Sequence, residues 1–265
     1  MKKPAFALSL LLFIFILRPA FGQSYDGVEA LFNAGDFEQT ITQGRAMGTS
    51  AGLTLALRGQ LVLIQYVYEP EDRMAAIEQA INDGQKAVAL DPDNVEAKIN
   101  LGIAVGLRGK PNKSVFDGKE SRRLFEEALA MSPENSWALG TLASWHAETV
   151  HQAGFLAARF VMGARKKNAW ALFEEAMEHE PGNLTIRAAY VRALMKLNPK
   201  KHDDLIRAHM DYILAAPADN ALERLMKEQI RQIDHALAGG DKDELELLLE
   251  EAVPLEMANG AHDQG

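Results

Sequence analysis

A Pro-x-Asn phrase recurs along this chain, and three of its copies carry a small residue five positions before the proline. Ala87 precedes Pro92-Asp93-Asn94, Ala128 precedes Pro133-Glu134-Asn135, and Ala176 precedes Pro181-Gly182-Asn183. A degenerate fourth copy has Tyr212 before Pro217-Ala218-Asp219-Asn220. The prolines lie 41, 48 and 36 residues apart. Proline cannot continue a helix, and asparagine is a preferred N-cap, so each phrase ends one helix and begins the next within a few residues. Helices joined this closely pack antiparallel. Periods of this size mark stacked helical repeats, in which each unit leaves an apolar face open until its neighbour covers it. The expected fold is an all-α solenoid.

Residues 1–22 read as a leader. Met1-Lys2-Lys3 is basic, Ala5 to Leu17 is an apolar or small run, and Ala20-Phe21-Gly22 is a small-x-small cleavage signature that places the cut between Gly22 and Gln23. As a helix the run covers ~20 Å, short of a hydrocarbon core of about 30 Å. The chain is therefore expected to be exported, and periplasmic if its source is a Gram-negative bacterium. Removing the leader takes away Lys2, Lys3 and Arg18 and no acid, so the formal charge moves from -9 to -12. That balance argues against nucleic acid as a partner. With no cysteine, an exported chain has no disulfide frame. No later stretch reads as a membrane span.

Periodicity predicts helices over 25–33, 36–47, 53–68 and 74–90, with Asp36 placed to cap the second and Glu69-Pro70 closing the third. The chain resembles a tetratricopeptide-repeat protein, whose unit is a pair of antiparallel helices with small residues at fixed positions. Leu101-Gly102 falls on the family's Leu-Gly pair. Ala80 and Ala87, Phe125 with Ala128, and Ala169, Phe173 and Ala176 fall on its aromatic and small positions. Leu142 is followed by Ala143 where the family prefers glycine. The match covers about 51–183, and Ser136-Trp137 through Val150 with the following segment is similar to the regulator of microtubule dynamics type within that family. The resemblance implies a right-handed helical-hairpin repeat solenoid. It also implies a divergent N-terminal pair over 23–50, repeats over 51–218, capping helices over 219–253 and an acidic tail over 254–265. It implies binding rather than catalysis.

Spacings longer than 34 residues place extra sequence between the helices of two repeats, at about 106–123 and 151–167, projecting from one edge. Both stretches are basic. The first carries Arg108, Lys110, Lys113, Lys119, Arg122 and Arg123; the second carries Arg159, Arg165, Lys166 and Lys167 and no acid. This edge is the candidate docking surface for an acidic protein or peptide, with anionic lipid headgroups as a further candidate. Alternatively the cations are solvated or pair with the acidic C-terminal stretch. Phe155, Leu156, Phe160, Val161 and Met162 make the second insertion amphipathic, fit for a membrane surface, a partner's groove or packing on the scaffold.

The inner groove is the family's usual binding surface. Its expected lining is Ile99, Ile103, Gly140, Ser144, Ala188 and Arg192, with Arg192 the one polar handle; it holds a peptide or is filled by a C-terminal helix over 245–253. No cofactor or metal motif is present: His146 and His151 are five apart, which turns them about 140° from each other on a helix. Trp137 and Trp145, eight apart, are read as core on one helix face. The function expected is an exported, non-catalytic scaffold for protein–protein interaction. Two alternatives are a transporter accessory enclosing an apolar solute and an enzyme centred on His146 and Glu148, which requires those side chains to share a cleft.

Overall fold

The computed structural model describes residues 24–250; the leader, the Gly22–Gln23 junction and the tail beyond 250 lie outside the described residues. Among the described residues there are twelve α-helices and no strand. They are α1 (Tyr25–Ala34), α2 (Phe37–Ala46), α3 (Ser50–Tyr66), α4 (Pro70–Leu90), α5 (Val95–Gly109), α6 (Val115–Met131), α7 (Ser136–Ala157), α8 (Lys166–His179), α9 (Leu184–Leu197), α10 (Asp203–Ala215), α11 (Ala221–Gly239) and α12 (Lys242–Glu250). Each packs on the next in the chain, which gives a helical repeat-like, all-α fold.

The Pro-x-Asn corners are near-identical. Asn94, Asn135 and Asn183 accept the backbone N–H three residues on, from Ala97, Ala138 and Ile186, at 2.9, 2.9 and 3.0 Å. Their own N–H groups return to the carbonyls of Asp91, Ser132 and Glu180 at 3.1–3.2 Å, closing the turn. Those three residues in turn donate to Ala87, Ala128 and Ala176, all fully buried. A larger side chain at these alanines would hold neighbouring helices apart. Asn220 also caps its helix, accepting from Glu223, and Ala216 donates to the Tyr212 carbonyl at 2.9 Å, but Tyr212 is exposed where the other corners bury an alanine.

Packing positions drawn from the sequence are buried throughout: Ala80, Leu101, Phe125, Leu142, Ala143, Ala169 and Phe173. Gly102 shows why the pair is Leu-Gly, since a Cβ there would stand 2.6 Å from the Phe125 ring. Three local details differ from expectation. Pro70 opens α4 at its first turn rather than closing α3, where its missing N–H costs nothing. Asp36 stands at the cap of α2, but its side chain accepts no hydrogen bond there. Trp145 donates its indole N–H to the Gly118 carbonyl at 2.8 Å, whereas Trp137 lines a small opening with Phe32, Arg58 and Asn183, so the two tryptophans serve different contacts.

The odd-numbered helices also pack on one another, α3 on α5, α7 on α9, α9 on α11, and α11 back on α1. Arg224 of α11 reaches the Asn33 and Ala34 carbonyls at the end of α1. The Tyr66 hydroxyl meets Met226 Sδ at 3.6 Å. Met226, Ile230 and Ile233 join Val62, Leu63, Leu139, Tyr190 and Leu194 in one core. Of the positions expected to line the inner groove, Ala188 shares this core, and Arg192 meets the Leu249 carbonyl of α12, inside the C-terminal segment expected to fill the groove.

The two longer spacings are taken up as helix. α5 and α6 are joined across residues 110–114, so the first extra stretch lengthens both. α7 breaks at Gly154 (φ 74°, ψ 162°), continues to Ala157 and passes into a π-helical turn over Ala158–Met162 before α8 begins.

Candidate docking surface

The ends of α5, α7 and α9 gather charge beneath the C-terminal end of α12. Arg192 donates to the Leu249 carbonyl at 2.9 Å and Lys110 to the Glu250 carbonyl at 2.9 Å. These two charged hydrogen bonds tie α12 to α5 and α9. The Glu250 carboxylate meets His151 at 2.5 Å and Lys196 at 3.7 Å. Glu148 lies between Lys196 at 2.8 Å and Lys110 at 3.3 Å. Burial pushes the Glu148 carboxyl up, but Lys196 and Lys110 outweigh it and bring the group down to about 2. The same burial pulls the Lys196 ammonium below its ordinary value, further than Glu148 draws it back. Lys110 and Arg192, two of the candidate cations, are therefore spent on the chain's own C-terminal helix.

Most of the others are also engaged. Arg108 binds Asp117 at 2.6 Å and Glu78 at 3.6 Å. Arg122 binds Glu126 at 2.7 Å, donates to the Met162 carbonyl at 3.0 Å and stacks 5.4 Å from the Trp145 ring. Arg123 pairs with Glu120 and Glu127, and Lys166 donates to the Leu197 carbonyl at 3.0 Å. Lys113, Lys119, Arg165 and Lys167 are exposed, and their side chains have no hydrogen bond or ion pair among the described residues. Arg159, also exposed, lies 5.6 Å from the Phe160 ring. Lys113 holds a left-handed backbone (φ 52°) at the α5–α6 turn, which leaves its side chain at the tip.

Beside these free cations stands an apolar display. The π-helical turn is anchored from below: Ala158 and Ala164 are buried, and a Cβ on Gly118 would stand 2.5 Å from Met162 Cε. Phe155, Leu156, Phe160 and Val161 face outward, 50–76% exposed. Val115 and Phe116 open α6 next to this turn and are exposed as well, Phe116 at 76%. Phe116 also rims a recess of about 540 Å³ between α4 and α6 that is walled by Val88, Leu101 and Val105. An anchored segment that turns its large apolar side chains outward is the kind of surface that marks an interaction site.

His146 and Glu148 part company. His146 is buried; its Nδ1 accepts the Arg165 N–H at 3.3 Å and its ring meets Trp145 edge-on at 5.1 Å. Burial, with Arg122 and Arg165 adding to it, lowers its pKa to about 4. Glu148 faces Lys110 and Lys196 two positions on, about 200° around the helix. His151 faces Glu250. The three side chains have separate partners.

Lys196 and the Val115–Phe116 pair were missed by sequence reasoning. Lys196 follows Arg192 by four residues and shares its helix face, which was the available signal. Val115 and Phe116 follow the capping Ser114, and an apolar pair at that position carries no mark of its exposure. Among the described residues no helix is long and apolar enough to cross a membrane. No protein-family model matches this chain, and no curated protein matches it.

Proposed function

We propose that the chain is an exported, non-catalytic scaffold of the tetratricopeptide type that docks a partner through the tips of the α5–α6 and α7–α8 hairpins. The single observation that carries this reading is the outward set of Phe155, Leu156, Phe160 and Val161 on a turn anchored by Ala158, Ala164 and Met162. Leaving four large apolar groups in water forgoes about 1.5–3 kcal/mol for each one that could be buried. Unpaired Lys113, Lys119, Arg159, Arg165 and Lys167 flank it. The repeat assignment is supported by the three matching corners and by Gly102 against Phe125. The likeness to the regulator of microtubule dynamics type rests on α7 and the turn after it and assigns no residue a role.

The groove, the family's usual site, plays no part in this reading because Arg192, its one polar handle, is engaged by α12. The test is a pull-down from envelope extract with the native chain and with Lys113, Arg159, Arg165 and Lys167 all changed to Glu. These positions are exposed and free, so the fold survives the change. Retention by the native chain and loss by the variant is the expected result. Equal retention by both moves the site away from the tips.

A further inference from the structure

Resting on the reading that the hairpin tips are a docking surface, we infer that what they dock on is an anionic lipid bilayer. The juxtaposition that carries this is an exposed apolar turn packed on the start of α6, with unpaired cations on both segments. Phe155, Leu156, Phe160 and Val161 form the apolar part. Lys113, Lys119, Arg159, Arg165 and Lys167 are the cations. Acids are withheld from them: residues 151–167 hold none, Asp117 is bound to Arg108, and Glu120 is taken by Arg123. On a chain of net charge -9, a locally uncompensated positive edge selects a negative surface.

Two features favour lipid over a protein partner. Protein interfaces are depleted in lysine at their core, because a flexible ammonium is costly to fix and desolvate. Here three of the five free cations are lysines, the residue whose stem lies along apolar surface while its head stays in water. The display is also open, with all four side chains at least half exposed, and a fluid interface closes around exposed side chains without needing a matched cavity. Large apolar groups entering the acyl boundary with Lys and Arg at headgroup level are how peripheral proteins sit on membranes. The other end of the charge system is self-contained, since Lys110, Arg192 and Lys196 are bound by Glu148 and the end of α12. Among the described residues, the candidate cations left without a hydrogen bond or ion pair are those at the tips.

The experiment is vesicle flotation of the full chain, purified as the cell processes it. Vesicles are phosphatidylcholine alone or phosphatidylcholine with about a third phosphatidylglycerol. One variant combines Phe155→Ser, Leu156→Ser, Phe160→Ser and Val161→Ser. The other combines Lys113→Glu, Lys119→Glu and Arg159→Glu. All of these positions are exposed, and unchanged thermal melting checks the fold. Native-to-variant comparison removes whatever residues 1–23 contribute, because that contribution is common to all three proteins. The native chain should float with anionic vesicles and weaken as salt rises. The charge variant should lose on the order of a hundredfold in partitioning to anionic vesicles, each cation near the surface being worth about a factor of five. The apolar variant should lose binding to both vesicle types.

Equal flotation of the native chain and both variants, or no flotation of any, overturns the lipid inference. If the native chain instead self-associates and both variants are monomeric, the occupant is a second copy and the docking reading stands without the lipid. If neither variant alters flotation, self-association or capture of any partner, the docking reading falls with it.

Discussion

The Tyr66 hydroxyl meets Met226 Sδ across a separation of 160 residues, at 3.6 Å, and both residues are buried. This contact ties the end of α3 to α11 and turns what would be an open stack of hairpins into a fold whose last inner helix touches its first ones. Burial holds the Tyr66 phenol above its ordinary pKa, with Arg192 offsetting only part of the effect, so the hydroxyl stays protonated and able to donate.

The first prediction follows from that closure. Met226→Ala should cost about 2–5 kcal/mol, the range for emptying a buried methionine site. Urea unfolding of the native chain should remain a single transition by both fluorescence and circular dichroism, because the terminal repeats are coupled rather than free to fray. Separate transitions for the two probes would mean that the ends do not hold each other.

Glycine 102 offers a sharper local test. Gly102→Ala places a Cβ 2.6 Å from the Phe125 ring and should cost about 1–3 kcal/mol by overpacking. Gly182→Ala has open space around it and should change stability by less than about 0.5 kcal/mol. Midpoints from denaturant titration of the two variants give the comparison directly.

The corner asparagines should differ among themselves. Asn135→Ala removes one cap bond and should cost about 1 kcal/mol. Asn94 also donates to Ser50 at 2.9 Å and Thr54 at 3.3 Å, linking its corner to α3, so Asn94→Ala should cost more. Equal losses would mean that those cross-helix bonds contribute nothing.

Stability should fall as pH drops from about 6.5 to about 4. His146 is held neutral in the fold by burial, Arg122 and Arg165, with its pKa down to about 4, while in the unfolded chain it takes up a proton near 6.5. The unfolded state therefore binds more protons in that window, and the penalty reaches roughly 3 kcal/mol below it. Burial lowers His209 as well, with Arg187 adding to it, and so contributes in the same direction. His146→Gln should flatten the pH profile between 6.5 and 4 relative to the native chain, read by melting temperature across that range.

The corners and the packing alanines were legible in the sequence because their causes are local. Proline stops a helix, asparagine caps one, and both act within four residues. The extra residues of the longer repeats were legible as extra but not as helix. Helices tolerate single glycines when packing holds them, as Gly118 is held against Met162. The packing of α11 on α9 and against Tyr66 was not legible. Met226, Ile230 and Ile233 mark an apolar face, but periodicity does not say which distant helix that face meets. The basic edge was half legible for the same reason. Arg108 finds Asp117 nine residues away, which the sequence allows, but Lys110 and Arg192 find the end of α12, which only the three-dimensional closure supplies.

The docking surface at the hairpin tips is the account's central claim, and site-specific photocrosslinking tests it most directly. A photoreactive side chain at Phe160 should give an adduct in the native envelope. The same group at Leu90, another exposed apolar position at the end of α4, should not. Adducts at Leu90 with none at Phe160 would contradict the claim and return the exposed turn to plain surface.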